Sequence, residues 1–242
     1  MRKLLGALLI WLALCAPALA TVTLVQLGFG NGGTGTTITT VAAISAGDAV
    51  VVCSGANSGG HGINGVTDTA GDTFQPILVP SQATNPLGCY FTPSSLGQLT
   101  STSITVSYAS TSSNHGTEAF KITGMTQPVV TDFVSSTVNG TSTGGTAITA
   151  ITGPTMNTAT DVVIGFVIAT TNPGTVSTLG TLSFIGGSGT PLWAQAYGVV
   201  STTNAAVTWQ PTLQNSVAYR SALLAFMSSS SVGMLQLSGV GK

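Results

Sequence analysis

The side chains that could do acid–base or nucleophilic chemistry are few and scattered along the chain. Two histidines are present, His61 and His115, and both lie in stretches rich in Gly, Ser and Asn. Nucleophilic hydrolysis requires a base beside the nucleophile, and glycoside hydrolysis requires two carboxylates that flank the bond. The six carboxylates are spread widely: Asp48, Asp68, Asp72, Glu118, Asp132 and Asp161. We therefore predict no catalytic residue and keep a hydrolase as the third alternative.

The metal-ligand candidates are Asp68 and Asp72, which flank a tight turn within the stretch Val66–Phe74. Calcium takes about six to eight oxygen ligands, and two carboxylates supply too few of them. An Asp at a turn is explained by hydrogen bonds to the nearby backbone. The sequence predicts that both aspartates shape the turn, with calcium binding as the weaker alternative, and it indicates no cofactor.

One predicted strand has an aromatic face suited to a ligand. Strand alternation places Trp193, Gln195 and Tyr197 on one face and two alanines on the other. Aromatic rings with polar tips and an amide can stack on a sugar ring and bond its hydroxyls. The alternative is that this face packs in the core. Trp209, which alternates with Val207, is predicted to be a core residue.

The N-terminus has the pattern of a secretory signal peptide. Basic residues at positions 2 and 3 precede an apolar run up to Cys15, and Ala18-Leu19-Ala20 follows. This arrangement is typical of a cleaved signal peptide, and the run is shorter than the roughly 20 apolar residues of a membrane span. We expect cleavage of residues 1–20, a mature chain from Thr21 and a secreted or cell-surface protein without membrane attachment. A retained anchor is the alternative.

Cys53 and Cys89 are the two cysteines that remain after signal cleavage. An even pair in an exported chain predicts a disulfide. In the chain-entropy model such a bridge stabilises the fold by about 4 kcal/mol. Two buried free thiols are the alternative.

Charged residues make up 5% of the chain, against roughly 25% in ordinary domains. Nucleic-acid binding requires several cations that neutralise phosphates, and anionic membrane surfaces recruit clusters of Lys and Arg. Five Lys and Arg in the whole chain provide neither. The hydrophobic fraction of 43% is sufficient for a packed core. We therefore expect a folded domain without nucleic-acid partners.

The fold class follows from short β-branched runs that alternate with Gly, Ser, Asn and Pro. Two runs, Val162–Ile168 and Val217–Met227, are apolar or nearly so on both faces, which predicts central strands covered on both sides. The predicted architecture is one all-β, antiparallel, jelly-roll-like sandwich over residues 21–227. It has an N-terminal strand, a Gly-rich linker at 28–37 and a flexible tail at 228–242.

Three stretches carry a resemblance to a known kind of domain. Ala46-Gly47-Asp48 leads into a Val run, the turn Val66–Phe74 follows, and Thr117-Glu118-Ala119-Phe120 lies further along. Together they resemble a Gly/Thr-rich jelly-roll-type domain of secreted bacterial surface proteins and some phage-associated ones, over residues 40–227. The resemblance implies the fold and an extracellular setting. Its motifs are turns and core strands, so it carries over no catalytic residue.

The favoured function is that of a non-enzymatic extracellular structural or interaction protein, such as a coat, a fibre or filament subunit, or an adhesin-like module. A surface of Thr, Ser, Asn and Gly forms hydrogen bonds without ionising, so the contacts that such a surface makes depend little on pH or salt. Self-association into a polymer or surface layer is expected. A carbohydrate-binding module with a polysaccharide partner is the alternative.

Residues 21–27 are predicted to form an assembly strand, whose apolar side chains are Val22, Leu24, Val25 and Leu27. Its β-branched content favours a strand. On a flexible Gly-rich tether it can pair with its own sheet or with the open edge of a neighbouring copy. If each copy donates in turn, the contact is head-to-tail and gives a filament. Pairing within its own domain is the alternative.

Arg220 lies in the apolar C-terminal strand, where an unpaired charge is costly to bury. Glu118 is the strand carboxylate that the pattern places to face it. The sequence therefore predicts a partly buried Glu118–Arg220 pair.

Overall fold

In the computed structural model the described part of the chain consists mainly of antiparallel strands. The described residues are 22–39, 44, 48–56, 63–72, 74–78, 87–92, 103–124, 129–134, 138–141, 143–155, 162–169, 174, 176–177, 183–186, 193–199 and 206–228. Within these ranges there is no helix, and hence none that could cross a membrane. The all-β prediction is confirmed. The predicted signal peptide and the predicted flexible tail at 228–242, beyond Ser228, lie outside the described residues.

The first of two large sheets contains six strands. In spatial order these are β1 (Thr23–Thr39), β6 (Ser103–Thr123), β2 (Ala49–Ala56), β5 (Leu87–Thr92) and β4 (Gln75–Leu78), with β3 (Ile63–Asp68) paired to the first part of β6. Along the chain, β1 and β6 come before and after β2 and β5, whereas in the sheet the β1–β6 pair lies beside the β2–β5 pair. This nested antiparallel pairing is jelly-roll-like.

The second large sheet also contains six strands. In spatial order these are β13 (Ser183–Gly186), β14 (Trp193–Val199), β11 (Val162–Ala169), β17 (Ala218–Ser228) and β7 (Val129–Val134), with β8 (Val138–Thr141) paired to the first part of β17. Two small sheets accompany it. They are formed by β10 (Ile151–Thr155) with β15 (Ala206–Trp209), and by β12 (Val176–Ser177), β16 (Thr212–Leu213) and β9 (Thr146–Ala147).

Three clusters of buried apolar side chains separate the layers. The inter-sheet core joins the two large sheets, and in it Phe91 meets Phe226 with ring centroids 5.1 Å apart, while Phe120 meets Phe166 at 6.1 Å. The first outer core lies on the other face of the first sheet, between β2, β3 and β6. The second outer core lies on the other face of the second sheet, beneath the two small sheets.

The central strands are buried on both faces, as their sequence predicts. Every residue of Val162–Ala169 is buried: alternate side chains enter the inter-sheet core and the second outer core. Trp209 and Val207 of β15 lie in the second outer core, which confirms the core assignment of Trp209. Strands covered on both faces lose the polar alternation of half-exposed strands, so the burial of both faces explains the continuous apolar run.

The prediction of a Gly-rich linker at 28–37 is wrong, because these residues form part of β1. Their backbone pairs with β6 up to Thr39, with register shifts between Gln26 and Gly28, between Asn31 and Gly33, and between Gly33 and Gly35. Glycine in a strand is accommodated by bulges and bends. The glycines thus mark irregularities within a long paired ribbon and not a free tether.

Candidate functional site

The predicted assembly strand forms the first part of β1 and occupies the edge of the first sheet. Val22 and Leu24 are buried in the inter-sheet core, whereas Leu27 is buried in the first outer core. Val25 is half-buried. In the single chain the strand pairs with β6 of its own domain, so the pairing that the sequence left open as the alternative is the one present.

Strand alternation allows this short segment to reach two cores, because Leu24 and Leu27 are three residues apart and lie on opposite faces, and a β-bulge then follows at Leu27. Gln26 pairs with Phe120 and Gly28 pairs with Ala119, so that Leu27 and Gly28 together oppose Ala119. Such a bulge bends the strand and re-aims its side chains. The bulge therefore changes the course of β1 from Gly28 onward, after the residues that enter the two cores.

A side-chain hydrogen bond joins the segment to the most deeply buried carboxylate that the structure describes. The exposed Gln26 donates its side-chain amide to the carboxylate of Glu118, which is 0% exposed. Glu118 lies two residues before Phe120 and pairs across the strands with Cys53, so it faces the inter-sheet core. A buried carboxylate requires hydrogen-bond donors, and β1 supplies one of them.

The edge formed by β1 lacks the protection seen at other edges of the large sheets. Among the described residues β1 pairs only with β6, and over its 17 residues it carries no charge and no proline. The opposite edge strand, β4, has four residues and includes Pro76. In the second sheet β13 has four residues, and β7 carries Asp132. Short length, proline and charge are three of the usual blocks to edge-to-edge pairing, and β1 has none of these three; the protection that it does have is its three register shifts.

Arg220 and Glu118 are both buried, and strand alternation places both on the inter-sheet face. Arg220 lies two residues before Ala222, which belongs to the inter-sheet core, and it is 4% exposed. Burial lowers the pKa of its guanidinium. Their pairing with each other stays a prediction.

The predicted disulfide is present between Cys53 of β2 and Cys89 of β5. The two residues are directly opposite in the strand ladder, with their Cα atoms 4.1 Å apart, and both are fully buried in the inter-sheet core. The bridge therefore joins neighbouring strands in the middle of the sandwich.

Asp68 is the last residue of β3, and its side chain caps the turn that leads to Asp72. The Oδ1 atom of Asp68 accepts hydrogen bonds from the backbone N–H of Ala70 at 3.1 Å and of Asp72 at 2.9 Å, and Gly71 has a φ of 82°. This is the backbone-capping role of Asp at a turn. No group of three or more His, Cys, Asp or Glu that could hold a metal is found in the part of the chain that the structure describes.

The register of β14 bears on the proposed sugar platform. Positions 193, 195 and 197 pair with Ile168, Phe166 and Ile164, whose side chains lie in the inter-sheet core. Directly paired residues of antiparallel strands share one face. The backbone register thus places these three positions on the face of the second sheet that carries the inter-sheet core, and sugar binding by Trp193, Gln195 and Tyr197 stays a prediction.

The sequence contains one Gly-x-Ser-x-Gly stretch, Gly140–Gly144. A nucleophile elbow requires a strand, a sharp turn and then a helix. Here β8 ends at Thr141, a turn through Gly144 and Gly145 follows, and the next element is the strand β9. The setting for an activated serine is therefore lacking. His115 lies within β6 opposite Ala56, and His61 lies outside the described residues.

Two polar arrangements are not anticipated by sequence reasoning. One is the Gln26–Glu118 hydrogen bond, and the other is a buried hydroxyl cluster of Ser54, Tyr108 and Thr117. Gln, Ser, Thr and Tyr are common on surfaces. Only the pairing of β6 with both β1 and β2 brings these side chains together.

No protein-family model and no curated protein matches the chain. Two solved structures are similar at 10% sequence identity and a TM-score of 0.28. One, described as the STIV MCP, covers 89% of this chain and 99% of its own. The other, described as the atomic structure of Sulfolobus Turreted Icosahedral Virus, covers 88% and 92%.

Proposed function

We propose that this protein is a non-enzymatic extracellular structural protein that self-associates through β1. The observation that carries the proposal is the 17-residue edge strand without charge or proline, in a chain whose other described sheet edges are short or carry such residues. As the outermost strand, β1 can leave its sheet by breaking one ladder, and the unpaired N–H and C=O groups that this leaves on β6 can then pair with the β1 of a second copy. The export signal in the sequence supports an extracellular setting.

The proposed route is exchange of the first part of β1 between copies. The segment is near the mature N-terminus, and the glycines from Gly28 to Gly35 follow it, with register shifts among them. When one copy's segment enters the next copy's sheet, Leu24 and Leu27 find the same two cores that they occupy within one chain. Repetition of this head-to-tail contact gives an open filament or layer.

The test is the size and shape of the mature protein, produced by export so that its disulfide forms. Sedimentation velocity over a concentration series, followed by electron microscopy of the largest species, is expected to reveal ordered polymers. A protein that remains monomeric at the highest concentration contradicts the proposal. Retention on immobilised polysaccharide by such a monomer would support the carbohydrate-binding alternative.

A further inference from the structure

We infer that the Gln26 amide and the buried Glu118 carboxylate form the contact that selects which strand, and in which register, occupies the edge of the first sheet. Strand pairing by backbone groups alone is tolerant of slips, because every residue except proline offers the same N–H and C=O. An uncharged edge rich in Gly and Thr is prone to such slips. Some side-chain contact must therefore specify the register of β1.

A slip of one residue would turn Leu24 and the neighbouring side chains to the wrong faces, which the burial of these side chains already disfavours. A slip of two residues keeps the faces and is the more dangerous error. It would bring either Leu24 or Gly28 opposite Phe120, in the place of Gln26. Neither side chain has a donor, so Glu118 would lose the hydrogen bond that it accepts from Gln26.

The loss is costly because Glu118 is completely buried, whereas Gln26 is exposed and could bond water instead. The preference for the correct register therefore comes from the buried Glu118 carboxylate, which loses a hydrogen bond in any other register. In the exchange that we propose above, on which this step rests, the β1 of a second copy brings its own Gln26 to the same carboxylate. A strand of another sequence, or the same strand out of register, does not.

The exposed position of Gln26 permits a test that leaves the core intact. Gln26→Lys retains a donor toward Glu118, whereas Gln26→Glu places a second carboxylate beside it. The readout is hydrogen exchange of the β1 amides in the full mature chain, with the β11 amides as the reference for global unfolding. Gln26→Glu is expected to speed β1 exchange about tenfold or more relative to Gln26→Lys.

Thr23 provides the matched control, because it is an exposed residue of the same strand whose hydroxyl bonds Thr123. Thr23→Glu and Thr23→Lys are expected to change β1 exchange equally. Equal exchange rates in Gln26→Glu and Gln26→Lys would overturn the inference. So would a difference between the two Thr23 variants as large as that at position 26, since it would reflect general charge.

The reciprocal variant completes the cycle. In Glu118→Gln the amide at position 118 can donate to a carboxylate at position 26, so the penalty of Gln26→Glu is expected to disappear. A penalty that persists in this background contradicts the inference. The β1 amides report docking whether the strand lies in its own chain or in a neighbour. A monomer with charge-dependent β1 protection would refute only self-association, and polymers without it would refute only the Gln26–Glu118 selection.

Discussion

The two outer faces of the sandwich are closed in different ways. On the first sheet, the long strand β6 continues past β2 and pairs with β3, so the sheet itself covers its outer core. On the second sheet, the short strands of two separate small sheets cover β11 and β17. Both covers bury apolar side chains of the sheet beneath them, but the polar groups buried under each cover find different hydrogen-bond partners.

The second outer core is held by two aromatic side chains: Tyr219, whose hydroxyl accepts the Thr149 N–H at 3.0 Å, and the larger Trp209. Trp209 donates its Nε1–H toward the Ser221 hydroxyl at 2.7 Å and the Phe166 carbonyl at 3.1 Å, and its ring lies against Gly165. The first outer core instead holds a cluster of three hydroxyls. Ser54 Oγ lies 2.8 Å from the Tyr108 hydroxyl, and both bond Thr117. One cover thus depends on large aromatic side chains, of which Trp209 is the largest, and the other depends on several hydroxyl contacts.

The largest expected effect is therefore at Trp209. Trp209→Ala removes a fully buried ring together with the N–H that donates to two acceptors. We expect a loss of about 3–5 kcal/mol in the free energy of unfolding. Trp209→Phe, which retains part of the ring, should lose less. Denaturant unfolding at neutral pH measures both. A loss below about 1 kcal/mol for the alanine variant would show that the small sheets are not anchored by the indole.

Glycines on the two sides give the next contrast. A Cβ at Gly165 would lie 2.5 Å from Trp209 Cδ2, whereas one at Gly65 of β3 would meet only Ser107 Oγ at 3.8 Å. Overpacking in Gly165→Ala is expected to cost about 1–3 kcal/mol. Gly65→Ala should be neutral or stabilise by up to about 1 kcal/mol. Melting temperatures that fall equally in both variants would remove this difference between the two covers.

A smaller effect is expected in the hydroxyl cluster. Tyr108→Phe removes one of three hydroxyls, and Ser54 and Thr117 can still bond each other at 2.7 Å. We expect a loss of about 1 kcal/mol. Thr23→Val, which removes an exposed hydroxyl that bonds Thr123, is the control and should change stability less. If Tyr108→Phe destabilises the protein as much as Trp209→Ala, the cluster depends on one hydroxyl, which contradicts the difference between the two covers.

The smallest effect concerns alkaline pH. Burial raises the pKa of Tyr90, whose hydroxyl donates to the Ile63 carbonyl at 3.4 Å in the first outer core. Because the folded state holds this proton more tightly, its contribution to stability is complete below pH 10, the usual tyrosine value, and declines as the pH rises above it. The free energy of unfolding, measured from pH 8 to 11, should decline less steeply in Tyr90→Phe than in the unsubstituted protein. Identical slopes would contradict the assignment.

Apolar periodicity predicted much of the fold from the sequence. The run Val162–Ile168 identifies a central strand covered on both faces, and the even pair of cysteines after the predicted signal peptide indicates the disulfide, because both signals depend on residue type. The Gly-rich stretch 28–37 was mistaken for a linker, because glycine in a bulged strand and glycine in a loop have the same composition.

The candidate site was predictable only in part. The apolar residues of the assembly strand indicated a strand near the N-terminus, and three of them are buried. Its partner, its bulge at Leu27 and the Gln26–Glu118 hydrogen bond depend on pairing with residues more than 90 positions away. A local pattern indicates which face of the sheet a residue occupies, but it does not indicate which distant residue is its partner.

The most direct test of self-association through β1 is a disulfide between two copies. Thr23 and Thr123 are paired residues whose hydroxyl oxygens lie 2.8 Å apart, so cysteines at both positions can bond when β1 is docked. The single variants Thr23→Cys and Thr123→Cys are mixed, oxidised and analysed by mass spectrometry of their linked peptides. Exchange predicts an interchain bond between positions 23 and 123. If that bond is absent, while the double variant closes the same bond within one chain, β1 stays in its own domain and the account is contradicted.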